Sequence, residues 1–483
     1  MKPYITLLKV ISMIICPLIL VQFLDISSPM ALALFISIVL LWFTEVIPLP
    51  ITGLMVPCLS ISYGLLSTKE AFTPFGNQIL FLFIGSFLLA KSMEKHGWDK
   101  RMAYFFLTRK IGPRSLNGII FFIGIICWGL SMWISNTAAC AIMVPIALGL
   151  MNSLDTTDPE TMKSFQTKIL LTCAFASSIG GVATPVGSPP NMLALQFLQQ
   201  EGIEITFFKW MQLALPLSLM MFAALYFILN KLFPIKDEAT HTRSLYDVFS
   251  EKYKNLGPMK LSEKQITFCF LLAVFFWITP GLFKTIAPTS ELSKFLSARF
   301  SMGMVALSSA LILFFVKDRE GNYNLTWQEG QDIDWGTIFI FGGGLCLGTM
   351  LDKTGLATEI GTSLFNFQSG GSIILPTIII IATGIILSEF SSNTASAALL
   401  IPLILGATQG SGLTTSVATQ LTMAAALGAS FGFMLPVSTP PNAIVYGTGK
   451  LKLKDMIKSG IIFDFSGLLL IFIFSILIFP LFL

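Results

Sequence analysis

Charged side chains are scarce in this chain. Lysine, arginine, aspartate and glutamate make up 12% of its 483 residues, about half the share of a soluble globular domain. Histidine is nearly absent: His96 and His241 stand far apart in charged segments, which excludes a histidine-based metal centre. The cysteines (Cys16, Cys58, Cys127, Cys140, Cys173, Cys269 and Cys346) lie dispersed through apolar stretches. They read as small buried hydrophobes, not as disulfides or a metal site. No basic block stands apart from the loops, so the net charge of +4 is no nucleic-acid signal. A nucleophile–base pair, a cofactor motif, a low-complexity segment and a separate soluble domain are also missing, and the chain does not read as an enzyme.

What is present is apolar: 54% of the residues are hydrophobic, in long runs broken by short polar loops. An α-helix needs about 20 apolar residues to cross a hydrocarbon core, whereas a β-barrel shows shorter, alternating segments. The fold class is therefore an all-α polytopic membrane protein. About eleven candidate spans lie at 4–24, 29–47, 50–67, 77–93, 166–199, 206–234, 264–287, 300–316, 335–351, 416–447 and 459–482. The first lacks a small-residue cleavage site before Asp25-Ile26-Ser27-Ser28 and reads as a span, not a signal peptide. Two further runs, 115–149 and 372–408, are about twice the spanning length and carry Ser-Asn-Thr at their midpoints. Such a run reads as a re-entrant hairpin that enters and leaves by one face.

Charge orients the chain. With a cytoplasmic N-terminus, only Lys69, Lys209, Lys284, Lys294, Arg299 and Lys353 of the 30 basic residues fall outside. That asymmetry is the positive-inside pattern, and it puts the C-terminus outside. The segments 94–112 and about 240–258 mix basic and apolar residues and read as amphipathic helices on the cytoplasmic surface.

The chain also repeats itself. Phe81–Ala90 with Met93-Glu94-Lys95-His96-Gly97 is matched by Phe339–Gly348 with Leu351-Asp352-Lys353-Thr354-Gly355, at an offset of 258. Ser135-Asn136-Thr137-Ala138 recurs as Ser392-Asn393-Thr394-Ala395, at 257. Pro185-Val186-Gly187-Ser188-Pro189-Pro190-Asn191 recurs as Pro436-Val437-Ser438-Thr439-Pro440-Pro441-Asn442, at 251. The topology puts the first hairpin inside and the second outside, so the repeats are inverted, as in many secondary transporters.

Backbone that leaves the helix within a membrane needs new hydrogen-bonding partners, which only a buried or water-lined cavity supplies. Hydroxyl and amide side chains there offer acceptors to a cation and donors to an anion. Helix N-termini leaving the break add partial positive charge. The Pro-Pro pairs break the two following helices in the same way. Four broken elements are expected to converge, with one cation site per repeat flanking a shared anion. Because no lysine or arginine lies in these motifs, a bound dianion needs cations and dipoles to offset its charge. Taken singly, a Ser-Asn-Thr reads more readily as interhelical hydrogen-bond glue and a Pro-Pro as a kink; their duplication at matched offsets favours a functional site. Glu389, an intramembrane carboxylate with no counterpart at the first tip, reads as a structural hydrogen-bonding group, and Glu45 as a helix-end residue near the interface.

At these motifs, and at Trp42–Pro50, Met132–Thr137 and Met434–Asn442, the chain resembles the divalent anion/sodium symporter family, which includes dicarboxylate and citrate carriers. The resemblance runs over essentially the whole chain. It implies a homodimer working by an elevator-type motion of a transport part against a fixed scaffold. Residues 1–112 and 264–370 would form the scaffold, 113–234 and 371–483 the transport part, and 235–263 a cytoplasmic interfacial segment. By the same resemblance, sodium would be held by Ser131, Ser135, Asn136 and Gly187 in the first repeat and by Ser388, Ser391, Asn393 and Ser438 in the second. The substrate would meet Asn136, Thr137, Ser188, Asn393, Thr394, Thr439 and Pro440. The sequence departs from the family's common pattern at Ser388, where Thr is frequent, and at Ser391 and Ser438, where Ala is. The leading expectation is sodium-coupled symport of C4-dicarboxylates such as succinate, fumarate and malate. A sodium-independent di- or tricarboxylate antiporter and a sulfate symporter are the alternatives on the same fold.

Overall fold

The structure, a computed structural model, describes residues 3–24, 26–108, 115–152, 158–235, 242–365, 373–410 and 413–482. Its first helices are α1 (Pro3–Leu20), α2 (Pro29–Thr44), α3 (Leu49–Ser62) and α4 (Thr68–Phe72). Proline at the start of α2 and α3 occupies positions where a missing N–H leaves nothing unpaired. The chain continues with α5 (Gln78–His96), capped by Asn77 and ended by left-handed Gly97, and α6 (Trp98–Leu107). Then come α7 (Leu116–Ser131), α8 (Asn136–Asn152), α9 (Pro159–Val182), α10 (Pro189–Gln200) and α11 (Phe207–Leu232). The middle of the chain forms α12 (Thr242–Asn255), α13 (Leu261–Ile286), α14 (Glu291–Arg299), α15 (Met302–Ile312) and α16 (Trp327–Gly330). The last third repeats the earlier order as α17 (Trp335–Lys353), α18 (Leu356–Phe365), α19 (Ile374–Phe390), α20 (Asn393–Gly410), α21 (Thr415–Ala429), α22 (Pro440–Gly447) and α23 (Leu453–Ile473), closed by α24 (Phe479–Phe482).

The repeat is visible element by element. Helices α5 and α17 both have 19 residues, and α6 and α18 both have 10. Packing exchanges the halves: α3 lies on α17, and α15 lies on α5. Each crossing is made through glycine. A Cβ on Gly343 would come 2.6 Å from Gly53 Cα, and one on Gly85 would come 2.5 Å from Leu307 N. Backbones this close tolerate no side chain, the small-residue solution of membrane helix packing. Gly343→Val is accordingly expected to abolish recovery of folded protein, read as loss of the monodisperse peak in detergent. A variant that behaves as wild type would refute the close crossing.

The span count is lower by length than the hydropathic runs indicate. Among the described residues, Ile5–Phe23, Thr68–His96, Phe207–Leu232, Leu261–Ile286, Trp335–Lys353 and Leu453–Leu481 are long and apolar enough to cross a membrane, and α14 with α15, bent by 66°, makes a seventh candidate. The runs 29–47 and 50–67 give helices of only 16 and 14 residues, divided at Pro48. The runs 166–199 and 416–447 are each broken where the chain unwinds before a Pro-Pro pair. The runs 115–149 and 372–408 do form paired helices that turn at Ser-Asn-Thr.

Polar contacts tie together segments that the charge pattern puts on one face. Lys91 reaches Asp332 at 2.7 Å and Lys95 reaches Glu329 at 2.8 Å. Lys91 thereby holds the Asp332 carboxyl below the usual carboxylate range. A buried Arg101–Glu263 pair at 2.6 Å fastens α6 to the start of α13, the guanidinium also donating to the carbonyls of Leu256 and Gly257. On the opposite face Lys353 meets Glu70 and Lys284 meets Glu204.

Three readings need correction or fall outside the described residues. The cysteines are not all dispersed: Cys127 and Cys173 touch, with Cys140 beside them, because α7, α8 and α9 pack together. Lys168, counted among the basic residues of the inner face, is fully buried and donates to the side chains of Asn117 and Asn230. The boundaries at 112/113 and 370/371, and His241, lie outside the described residues, while 263/264 falls within α13.

Candidate functional site

Four helices begin at the wall of one cavity of about 740 Å³. Helix α8 starts at Asn136 and α20 at Asn393, each at a hairpin tip, while α10 starts at Pro189 and α22 at Pro440, each after an unwound stretch. The break before α10 is built by Thr184, which accepts from Gly187 N and donates to the Met132 carbonyl at the hairpin tip. Asn191 then staples the unwound backbone, donating to the carbonyls of Gly181 and Thr184 at 2.9 and 2.8 Å. Asn442 does the same in the second repeat, to Gly432 at 3.0 Å and Leu435 at 2.9 Å. The third member of each Pro-Pro-Asn motif thus holds the break open.

All seven residues expected to meet substrate line this cavity: Asn136, Thr137, Ser188, Asn393, Thr394, Thr439 and Pro440. Ser188 Oγ lies 3.5 Å from Ser430 Oγ, where the two repeats meet. Among the described residues lining the cavity there is no lysine or arginine. Glu45, Asp334 and Thr337 also line it, together with Phe83, Phe87, Trp133 and Tyr446. Glu45 caps α2 in the left-handed region (φ 46°), an unfavourable conformation for a non-glycine residue.

The residues expected to hold sodium are gathered less evenly. In the first repeat the Asn136 side-chain amide meets three oxygens: Ser131 Oγ at 2.6 Å, Ser177 O at 3.1 Å and Gly187 O at 3.2 Å. With its nitrogen toward them it donates to all three; with its oxygen toward them it accepts from the Ser131 hydroxyl and faces two carbonyl oxygens. Amide, hydroxyl and carbonyl oxygens are the donor types that suit a hard cation. Gly181 and Gly187 close this cradle, since a Cβ on Gly181 would lie 2.8 Å from Gly187 O and one on Gly187 would lie 2.9 Å from Ser131 O. The Ser135 hydroxyl stands apart and accepts from Ala138 N.

The second repeat reproduces the core of this arrangement. Ser388 Oγ donates to Asn393 Oδ1 at 2.6 Å, as Ser131 does to Asn136, and Asn393 Nδ2 faces Ser430 O at 3.4 Å. A Cβ on Gly432 would lie 3.0 Å from Ser388 Oγ. Ser391 is buried but does not line the cavity. Ser438 donates to Glu389, whose carboxylate also accepts from Met434 N and Leu435 N at 2.7 and 3.1 Å. Glu389 is therefore the hydrogen-bonding group that the sequence suggested. Sequence reasoning missed Ser177, Gly181, Ser430 and Gly432, whose contribution is backbone or space. For the two glycines, their shared offset of 251 was an available signal.

Comparison with known proteins adds the following. Residues 2–482 match the family described as the sodium:sulfate symporter transmembrane region. The chain is 33% identical over 448 residues to a sodium-dependent dicarboxylate transporter, SdcS, of Staphylococcus saprophyticus, covering 89% of this chain and 82% of that protein. It is 33% identical over 443 residues to an uncharacterized transporter of Haemophilus influenzae, covering 91% and 88%. In fold it is similar to the YdaH transporter of Alcanivorax borkumensis, with a TM-score of 0.54 at 13% identity over 85% of this chain and 87% of that one.

Proposed function

The chain belongs to the sodium:sulfate symporter family, and from that premise we propose that it couples sodium entry to uptake of C4-dicarboxylates such as succinate, fumarate and malate across the cytoplasmic membrane. The observation that carries this reading is a cavity with no lysine or arginine among its described lining residues, into which four helix N-termini open. Each N-terminus offers about half a positive charge, but stabilises a nearby anion by only about 0.3–1 kcal/mol, or about 2 kcal/mol in partly buried geometries. Burying a charge has an effective penalty of several kcal/mol per ion, so a dianion outruns what dipoles alone supply. Cations beside it close the gap, and the oxygen cradle around Asn136 has the chemistry to hold one. The name of the staphylococcal relative supports sodium and a dicarboxylate as the cargo.

In this reading, sodium sits with Ser131, Asn136 and Gly187 in the first repeat and with Ser388, Asn393 and Ser438 in the second. Ser135 and Ser391 contribute through backbone. The anion lies between them against Thr137, Ser188, Thr394, Thr439 and Pro440. The repeats are inverted, the N-terminus is cytoplasmic and the C-terminus outside, and the functional unit is a homodimer. Residues 113–234 and 371–483 move as a transport part against a scaffold of 1–112 and 264–370. Glu45, Asp334 and Thr337 line the cavity at helix ends that the charge pattern puts inside, which supports a cavity open toward the cytoplasm in this reading.

The anion is tested by competition. Sodium-driven uptake of labelled succinate should fall at least fivefold in the presence of excess fumarate or malate and stay unchanged with the same excess of sulfate. Inhibition by sulfate alone would move the substrate class to inorganic dianions.

A further inference from the structure

Lys209 and Lys284 are two of the basic residues that the charge pattern leaves outside, and the structure brings both to the wall of one cavity of about 390 Å³. Neither lines the central cavity. Three parts of the chain enclose this outer one: the segment 203–206 with the start of α11, the end of α13, and the first turns of α21. Gly281 lets α13 close on the start of α11, since a Cβ there would lie 2.6 Å from Thr206 Oγ1. Lys284 follows three residues later, on the same side of α13. Thr206 caps α11 by accepting from Lys209 N at 3.2 Å, a bond that does not use its hydroxyl hydrogen. Thr415 and Ser416 bring hydroxyls, together with first-turn amides that have no partner within the helix. Glu204 is the one carboxylate among the described lining residues and meets Lys284 at 2.6 Å, with both side chains substantially exposed. Two ammonium groups against one carboxylate leave the wall positive.

We propose that this outer cavity is a second anion site, which takes a small dicarboxylate without sodium. The identity of the anion rests on the proposed function; the site itself rests on the cavity and its charge. The central cavity has no lysine or arginine among its described lining residues, so a dianion there needs cations beside it. The outer cavity carries its own cations, with hydroxyl donors around them. Its volume falls in the range of small-molecule pockets, about 300–1,000 Å³. Glu204 is a competitor, not a barrier: an exposed ion pair is weak, and a lysine ammonium on its flexible stem can turn to a new partner. An incoming carboxylate therefore takes Lys284 from Glu204. Lys209 and Lys284 stand on α11 and α13, which the proposed function assigns to the transport part and the scaffold. The site is thus complete only while those two parts stand as described.

The test is binding of labelled succinate to the detergent-purified full chain, at low ionic strength and with choline in place of sodium. Saturable binding is expected, and it should survive Asn136→Ala, which disables the central site. Lys209→Gln and Lys284→Gln should each weaken it about tenfold, the size of one charge-assisted hydrogen bond. Glu204→Gln should tighten it about threefold by removing the competitor for Lys284. An ion pair that only fastened the two segments together would not give that gain. No saturable binding in choline overturns the proposal, and so does binding that both lysine variants leave intact. Binding lost in Asn136→Ala overturns it as well, by placing the anion in the central cavity. If the lysine variants are not recovered as folded protein, Glu204→Gln decides: unchanged or weaker binding overturns the proposal. The two readings fail separately, because sodium-driven uptake tests the central site while this binding is measured with sodium absent.

Discussion

Asn136→Ala and Asn393→Ala are each expected to lower sodium-driven uptake by about a hundredfold or more while leaving membrane insertion intact. Asn136 joins the Ser131 hydroxyl, the Ser177 carbonyl and the Gly187 carbonyl. Leaving one buried polar group unsatisfied costs about 1–3 kcal/mol, so losing two such contacts already amounts to about a hundredfold. Asn393 has the same relation to Ser388 and Ser430. Both also open helices whose first turns face the cavity, so under the proposed function each variant would remove cation and anion contacts together. Uptake by either variant within about threefold of wild type, at matched protein in the vesicles, would remove that residue from the site.

The second large effect is steric and unequal between the repeats. Gly181→Ala should abolish sodium-activated uptake, whereas the matching Gly432→Ala should reduce it only severalfold. A methyl on Gly181 would lie 2.8 Å from Gly187 O and closer still to the Asn136 amide oxygen, filling the cradle. A methyl on Gly432 would meet Ser388 Oγ at 3.0 Å and Ser388 O at 3.1 Å, a distance that a rotating hydroxyl can partly relieve. Sodium activation curves for the two variants give the comparison. Equal losses in both would mean that the glycines serve helix packing and not a cation cradle.

Much of this was legible in the sequence because it is local or repeated. The Ser-Asn-Thr tips and the Pro-Pro-Asn breaks are each a few residues long, and their duplication ranks them above ordinary membrane polar residues. Helices α2 and α3 are shorter than the runs that announce them, because the apolar runs continue past the helix ends at Thr44 and Ser62. The contact of Cys127 with Cys173 depends on α7 meeting α9, which spacing along the chain does not encode. Gly181 and Gly432 work by having no side chain, and among 38 glycines only their shared offset of 251 marks them out.

Uptake of labelled succinate into otherwise empty proteoliposomes, with and without an inward sodium gradient, is the decisive measurement. Accumulation above equilibrium with sodium, and none when choline replaces it, is the expected result. Uptake that ignores sodium and appears only after the vesicles are preloaded with dicarboxylate would contradict symport and make the protein an exchanger.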